Sequence, residues 1–371
     1  MIKVGVTGSN GFIGWHLCHA LELDKNKFEL IQFKREWFDE SINLDSFVSK
    51  CDIIVHLAGL NRHSEESTIY QTNVGLAVKL VDSFKRTGFK GQVIFSSSTQ
   101  EERNNNFGNS KKAVRQLFAN WAAHSIANFH GLIIPNVFGP FGVAFYNSVI
   151  STFCNQLVNG KTPNIETDAS LNLIYINELV KKIIDLFKTE TNENVIIAHS
   201  DSYKVSEILD LLIKYKEMYF INGQIPSFNN QFEINLFNTF RSYFNLNTHY
   251  PIKYKNNIDE RGNFVEIVRL ETGGQVSFST TKMGVTRGNH FHTRKIERFS
   301  VIKGLALIQL RKIGTTEVFD YHLSGEEPAY VDMPIWYTHN IKNIGEEELC
   351  TMFWINEFYD ANDPDTFFEK V

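Results

Sequence analysis

Short apolar runs punctuate the first two hundred positions of the chain. "IKVGVT" (2–7), "FELIQF" (28–33), "DIIVHLAG" (52–59), "QVIFSSS" (92–98), "HGLIIPNVFG" (130–139) and "ENVIIAHS" (193–200) read as strands. Near-continuous apolar runs of this length mark strands covered on both faces of a parallel sheet. Between them, "SFVSKC" (46–51), "GLAVKLVDSFKRTG" (75–88) and "SKKAVRQLFANWAAHS" (110–125) carry helical spacing. The alternation predicts a doubly wound α/β domain of Rossmann type.

The pattern changes twice more. Residues 203 to about 245 hold two aromatic-rich helical segments, "KVSEILDLLIKYKEMYF" and "FEINLFNTFRSYFNL", joined through Pro226; they are expected to complete the first domain, pairing two subunits or forming a lid. Beyond "NLNTHYPIKYKNN" helical periodicity disappears. "NFVEIVRL", "GQVSFST", "ERFSVIKG", "ALIQLRKI", "TEVFDYHL", "AYVDMP" and "LCTMFWIN" alternate between Gly turns, predicting an all-β sandwich or jelly roll. Two domains follow, 1–246 and 247–371, in keeping with the roughly 100–200 residues of a typical domain.

Composition narrows the partners. With a net charge of −5 and basic residues scattered along the chain, nothing favours nucleic acid or an acidic membrane. No run approaches the roughly 20 apolar residues that span a bilayer. Cys18, Cys51, Cys154 and Cys350 form no CxxC pair, so neither a disulfide framework nor a thiolate metal site is indicated. The expectation is a cytoplasmic protein acting on a small molecule.

Candidate chemistry lies at both ends. "VTGSNGFIG" places Gly8, Gly11 and Gly14 directly after the first strand and at the start of a helix. This spacing lets backbone and helix N-terminus approach a pyrophosphate. Where an acidic residue would bind the ribose 2′-hydroxyl of NAD, the second strand runs into Lys34 and Arg35, two cations suited to the 2′-phosphate of NADP(H). In the second domain, "GVTRGNHFHTRKIERFSVIKG" supplies Gly284, His290, His292, Glu297 and Gly304, and "PIWYTHNIKN" supplies Pro334, His339 and Asn343. Alternation puts His290 and His292 on one face of a strand. Imidazoles with one carboxylate suit Zn²⁺ or another divalent transition metal.

The glycine motif, "HLAG" (56–59), "SSS" (96–98) and "PNVFGP" (135–140) resemble the extended short-chain dehydrogenase/reductases that act on nucleotide sugars. That resemblance implies that Gly8, Gly11, Phe12, Ile13, Gly14, Leu57, Ala58, Gly59, Lys111 and Asn136 contact the cofactor, and that Asn136 and Asn147 contact substrate. It assigns Ser98 to the sugar oxygen and Lys111 to the nicotinamide ribose. The family's proton-transferring Tyr falls on Phe107. Positions i and i+4 share a helix face, so the phenyl ring sits beside Lys111 but offers no O–H; Tyr70 and Tyr146 occupy no motif position. Loss of general acid catalysis costs about 10²–10⁴-fold in rate.

The histidine-rich segments resemble the two-part cupin motif, with Trp336 where that motif usually has Gly. "DERGNFVEI" (259–267), followed by Gln275, Ser277, Ser279 and "GVTRGNH", is also similar to deoxysugar-nucleotide 3,5-epimerases. That likeness implies that Arg261 and Arg287 hold the nucleotide-linked sugar and that His290 is a base. With His292, Glu297 and His339 alongside, a ligand role is preferred for His290. Tyr337 is a substrate-binding candidate, and Lys295 and Tyr337 are the positions open to a separate base.

Over its whole length the chain resembles the capsule-synthesis bifunctional epimerase/reductases, which join a reductase to a zinc-containing cupin. The resemblance implies a homodimer that uses NADPH. It implies C3 epimerisation of a UDP-2-acetamido-2,6-dideoxy-4-hexulose followed by C4 reduction to UDP-2-acetamido-2,6-dideoxy-L-talose, the reduction impaired by Phe107. The alternatives are a keto-sugar nucleotide epimerase or isomerase whose first domain binds NADP(H) without reducing, and a non-enzymatic NADP(H)-sensing or scaffold protein.

Overall fold

The structure is a computed structural model. It describes every residue except Glu190 and Arg261, and it describes 258, 259 and 262–264 through their backbone alone. The chain packs as two compact units, Met1–Thr152 with Glu166–Val205, and Phe153–Ile165 with Ser206–Val371.

The strands of the first unit are β1 (Ile2–Thr7), β2 (Phe28–Ile31), β3 (Ile53–His56), β4 (Gln92–Ser98), β5 (Asn128–Ile134), β6 (Asn136–Phe138), β7 (Ser170–Tyr175), β8 (Glu193–Ile196) and β9 (Asp201–Lys204). A parallel sheet of order β2-β1-β3-β4-β5-β8 forms its centre. Pro135 divides "HGLIIPNVFG", read above as one strand, into β5 and β6. Without an N–H, proline cannot continue a ladder, and β6 instead pairs with β7 in a separate three-stranded sheet.

The helices are α1 (Phe12–Glu22), α2 (Ser41–Val48), α3 (Glu66–Thr87), α4 (Asn106–Ala123), α5 (Val149–Val158) and α6 (Ile176–Asp185). Phe47 of α2, Leu80 and Phe84 of α3 and Phe118 of α4 are buried with Phe95 of β4 in one apolar cluster. This packing matters for the site because the strand order reverses between β2 and β3, on either side of β1. In open α/β sheets ligands bind at such a switch point, beyond the carboxyl ends of the strands. The glycine loop after β1 and the 57–59 loop after β3 flank it.

After segment 153–165, which carries the end of α5, the second unit continues with α7 (Val205–Tyr215), extended by a π-helix over Lys216–Ile221, and α8 (Gln231–Arg241). Its strands are β10 (Ile252–Lys253), β11 (Asn256–Asp259), β12 (Gly262–Val265), β13 (Gln275–Thr281), β14 (Thr286–Phe291), β15 (Glu297–Lys303), β16 (Leu305–Lys312), β17 (Val318–Ser324), β18 (Ala329–Met333), β19 (Tyr337–Asn343), β20 (Leu349–Ile355) and β21 (Phe367–Phe368). Two five-stranded antiparallel sheets, β10-β18-β15-β20-β13 and β17-β16-β19-β14-β21, build the β domain, and β11 pairs with β12.

The change of texture near 246 and the division of packing at 205/206 do not coincide, and a buried polar network explains the difference. Arg298 of β15 makes a bidentate ion pair with its register partner Asp332 of β18, at 2.8 and 3.0 Å. Tyr219 donates to the same carboxylate at 2.5 Å. Arg241 of α8 donates to the Tyr219 oxygen at 3.2 Å and to the Met333 carbonyl at 3.0 Å. The aromatic segment 205–246 is thereby tied to the β sheets that follow it.

Removing one partner of a buried pair typically costs about 3–5 kcal/mol, because the other charge stays buried. Asp332→Ala is expected to destabilise the second unit by that order in urea unfolding, and Asp332→Ala with Arg298→Met by less.

Candidate functional site

The first unit's site begins at the glycine loop. Gly8 adopts φ +78°, a left-handed conformation that favours glycine. A Cβ there would lie 2.7 Å from the Ala58 amide nitrogen, and one at Gly14 would lie 2.1 Å from the Gly8 carbonyl oxygen. The loop is therefore pinned between β1 and the 57–59 loop, and α1 starts with no side chain capping its first amides. An uncapped helix N-terminus behind a close backbone approach is a cradle for a pyrophosphate. Lys34 and Arg35 follow β2, both exposed.

Beyond the loop lies a cleft of about 720 Å³, lined by Phe12, Ile13, Leu57, Ser98, Phe107, Lys111, Asn136 and Asn147 together with Arg62, His63, Glu66 and Arg103. Ser98 closes β4, and its hydroxyl accepts from the Gln100 amide at 3.1 Å. Asn105 caps α4 by accepting from the Gly108 amide at 2.7 Å, which places Phe107 and Lys111 on the first turns of the helix. The Lys111 ammonium donates to the Ser96 carbonyl at 2.8 Å and lies 5.5 Å from the Phe107 ring centre. Burial pushes this lysine down to about 8, against an ordinary value of 10.5.

Among the described residues no tyrosine lines this cleft. Tyr70 lies on α3 and is exposed. The Tyr146 hydroxyl accepts from the Asn61 amide at 3.4 Å, outside the Ser98–Lys111 pair.

The second unit brings His290, His292, Glu297 and His339 together, with one ligand atom of each within 4.8 Å of the others. The cluster bridges the two sheets: His290 on β14 and His339 on β19 are register partners, His292 follows β14, and Glu297 opens β15 on the opposite sheet. A bulge between Gly288 and His290, with Asn289 at φ +60°, sits directly before the first histidine.

Nε2 of His292 and of His339 lie 3.1 and 3.4 Å from Glu297 Oε2. All three atoms are buried and lack a hydrogen-bond partner among the described residues. Tetrahedral bonds of about 2.0–2.1 Å give ligand–ligand edges of roughly 3.3 Å, so the donor set fits a divalent metal. Burial raises Glu297, but the neighbouring His292 and His339 reverse this and hold it well below the ordinary carboxylate range. His290 is pushed down to about 4 by burial and by the other two imidazoles, so it is neutral.

The remaining candidates are more scattered. Arg287 is exposed and donates to the Thr280 carbonyl at 3.3 Å. Tyr337 shares a strand face with His339, and burial pushes its phenol up to about 12. Lys295 is buried, and its ammonium donates to the Pro364 carbonyl at 2.7 Å. Arg261 lies outside the described residues.

Two supports, Asn73 and Glu101, escaped the motif reading, and a third, Trp336, is the departure that the reading noted. Asn73 of α3 bonds both backbone groups of Leu60, at 2.6 and 3.0 Å, and the Ser110 hydroxyl at 2.9 Å, tying the 57–60 loop to α4. Glu101 takes three bonds from Arg115 and one from the hydroxyl of Ser97, the residue before Ser98. Trp336, at the motif's glycine position, adopts φ +63° and donates its amide to the His292 carbonyl at 2.7 Å. A lone Asn within an apolar helix stripe was the one local signal for Asn73.

Comparison with known proteins matches a different family to each end of the chain. Residues 4–198 match the NAD dependent epimerase/dehydratase family, and residues 257–367 match a polysaccharide biosynthesis C-terminal domain. A UDP-2-acetamido-2,6-beta-L-arabino-hexul-4-ose reductase of Pseudomonas aeruginosa is 30% identical over 99% of this chain and 98% of its own. The crystal structure of the capsular polysaccharide assembling protein CapF from Staphylococcus aureus is 31% identical, covers 100% of both chains and has a TM-score of 0.60. A UDP-N-acetylglucosamine 4-epimerase of Methanobrevibacter ruminantium, solved with UDP-N-acetylmuramic acid, is 22% identical over 65% of this chain and 98% of its own, with a TM-score of 0.56, and shares the fold.

Lys111 yields a prediction in pH. Its folded value of about 8 lies below its ordinary 10.5, so between these values the unfolded chain binds more protons and stability rises with pH. Below about 8 the full cost of the buried charge is present. Lys111→Met is expected to flatten this rise and to stabilise the fold at pH 7 by up to about 3 kcal/mol, offset in part by the lost bond to Ser96. Urea unfolding at pH 7, 9 and 10.5 reads both effects.

Proposed function

Because the chain belongs to the NAD dependent epimerase/dehydratase family, extended by a polysaccharide biosynthesis C-terminal domain, we propose that it is a two-site nucleotide-sugar enzyme of surface polysaccharide synthesis. The substrate is a UDP-2-acetamido-2,6-dideoxy-4-hexulose, a reading supported by the similarity to the UDP-2-acetamido-2,6-beta-L-arabino-hexul-4-ose reductase of Pseudomonas aeruginosa. The second unit is a cupin that inverts C3, and the first performs an NADPH-dependent reduction at C4 toward UDP-2-acetamido-2,6-dideoxy-L-talose. The observation that carries this reading is that one chain holds both a four-residue donor cluster, in one unit, and a cleft lined by Ser98 and Lys111, in the other.

Protons on carbon beside a ketone are acidic because the resulting enolate is delocalised. His290, His292, Glu297 and His339 would hold a divalent metal, most simply Zn²⁺, which supplies Lewis acidity toward such an enolate oxygen. Tyr337, with its phenol pushed up to about 12, keeps its O–H at neutral pH and serves as a donor to the sugar.

In the first unit the glycine cradle, Leu57 and Ala58 would hold NADPH, with Lys34 and Arg35 on its 2′-phosphate; bound there, it supplies hydride. Ser98 donates to the C4 oxygen, and Lys111 supplies positive charge beside it. Phe107 fills the place of a ring but cannot pass a proton, which sets reduction about 10²–10⁴-fold below what a phenol there would give.

The absence of tyrosine among the residues lining the cleft favours one second reading, a keto-sugar epimerase whose first unit binds NADP(H) without reducing. NADPH oxidation with the UDP-4-keto-sugar separates the two. The bifunctional reading predicts slow oxidation, raised at least tenfold by Phe107→Tyr; no oxidation by either protein, with C3 inversion intact, supports the binding-only first unit.

A further inference from the structure

The turn that joins His292 to Glu297 is organised by a residue seventy positions away. It crosses from the sheet of β14 to that of β15, so its shape fixes how far apart those two side chains stand. Asp365, buried and left-handed at φ +41°, collects the three successive backbone amides of 293–295 and the Thr293 hydroxyl. Its carboxylate accepts from the Thr293 amide at 3.1 Å, the Thr293 hydroxyl at 2.7 Å, and the Arg294 and Lys295 amides at 3.0 Å each. Its own carbonyl lies 2.5 Å from His292 Nδ1.

A carbonyl can only accept, so Nδ1 carries a proton and Nε2, facing Glu297, is the ring atom left to ligate a metal. The opposite side of His292 is fixed as well, because its carbonyl accepts from the Trp336 amide. The C-terminal strap that carries Asp365 is itself anchored. β21 pairs with β14 at His290 and Phe291, and Arg294 donates to both the side chain and the carbonyl of Asp363, at 3.0 Å each.

We propose that Asp365 is a positioning residue for the His290–His292–Glu297–His339 cluster: its carboxylate shapes the 293–295 turn and its carbonyl fixes the tautomer and direction of the His292 ring. The inference rests on the metal reading above. Groups that orient a metal-binding histidine typically contribute 10–100-fold in metal affinity. A carboxylate satisfies four donors at once, whereas an amide would set its NH₂ against some of them, so Asn is a partial substitute. Gly removes the carboxylate and suits the left-handed backbone, which separates lost hydrogen bonds from strain.

The test titrates Co²⁺ into the metal-free full-length chain and follows its visible absorption, with Zn²⁺ competition giving the affinity. Thermal melts of the metal-free proteins run in parallel. Asp365→Gly and Asp365→Ala are expected to bind 10–100-fold more weakly with an altered Co²⁺ spectrum, Asp365→Asn to fall between, and all three to remain folded without metal. Parent-like affinity and spectrum in the Gly variant overturn the inference and leave the metal reading standing. A parent protein that binds neither ion overturns the metal reading and this inference with it. If neither the Gly nor the Ala variant folds, Asp365 is a folding element of the whole unit and the positioning role falls.

Discussion

A carboxylate taken out of water must be compensated, and so must each imidazole lone pair buried beside it. Glu297 meets this constraint between His292 and His339, where three buried atoms face one another without a shared hydrogen bond. Much of the second unit's architecture serves to hold that arrangement. β14 and β19 set two histidines side by side, β15 brings the carboxylate from the opposite sheet, and Trp336 and Asp365 grip His292 from two directions. Three non-glycine residues in the left-handed region, Asn289, Trp336 and Asp365, each costing on the order of 1–3 kcal/mol, are sustained by this convergence.

The first unit shows the complementary case, a site whose support is kept while one chemical group is missing. Lys111 remains buried at an electrostatic cost, Asn73 fastens the loop opposite it, and Glu101 with Arg115 braces the end of β4. None of these is needed to pack Phe107. Under the proposed function, the buried lysine beside the phenyl ring serves a ligand of the cleft rather than packing.

Much of this was legible in the sequence. Apolar runs and alternation identified most strands, because burial on one or both faces leaves a period that composition cannot hide. Strand alternation put His290 and His292 on one face, and the resemblance to the two-part cupin motif added Glu297 and His339; the structure brings all four together. What was not legible depended on contacts distant in sequence. The segment 205–246 reads as helix, yet its packing partner is set by Asp332, 113 residues beyond Tyr219. Asp365 sits in a turn-like "NDPDT" whose docking place no local pattern reveals, and Pro135 split a strand that periodicity read as continuous.

The central claim is that the second unit performs its own carbon-acid chemistry independently of Phe107. The most direct measurement is deuterium incorporation at C3 of the UDP-4-keto-sugar, in D₂O without NADPH, by the Zn²⁺-loaded full-length chain. The account predicts that C3 exchanges and that exchange ceases when the protein is stripped of metal or carries His292→Ala. A metal-loaded protein that binds the sugar nucleotide and leaves C3 fully protonated would contradict it.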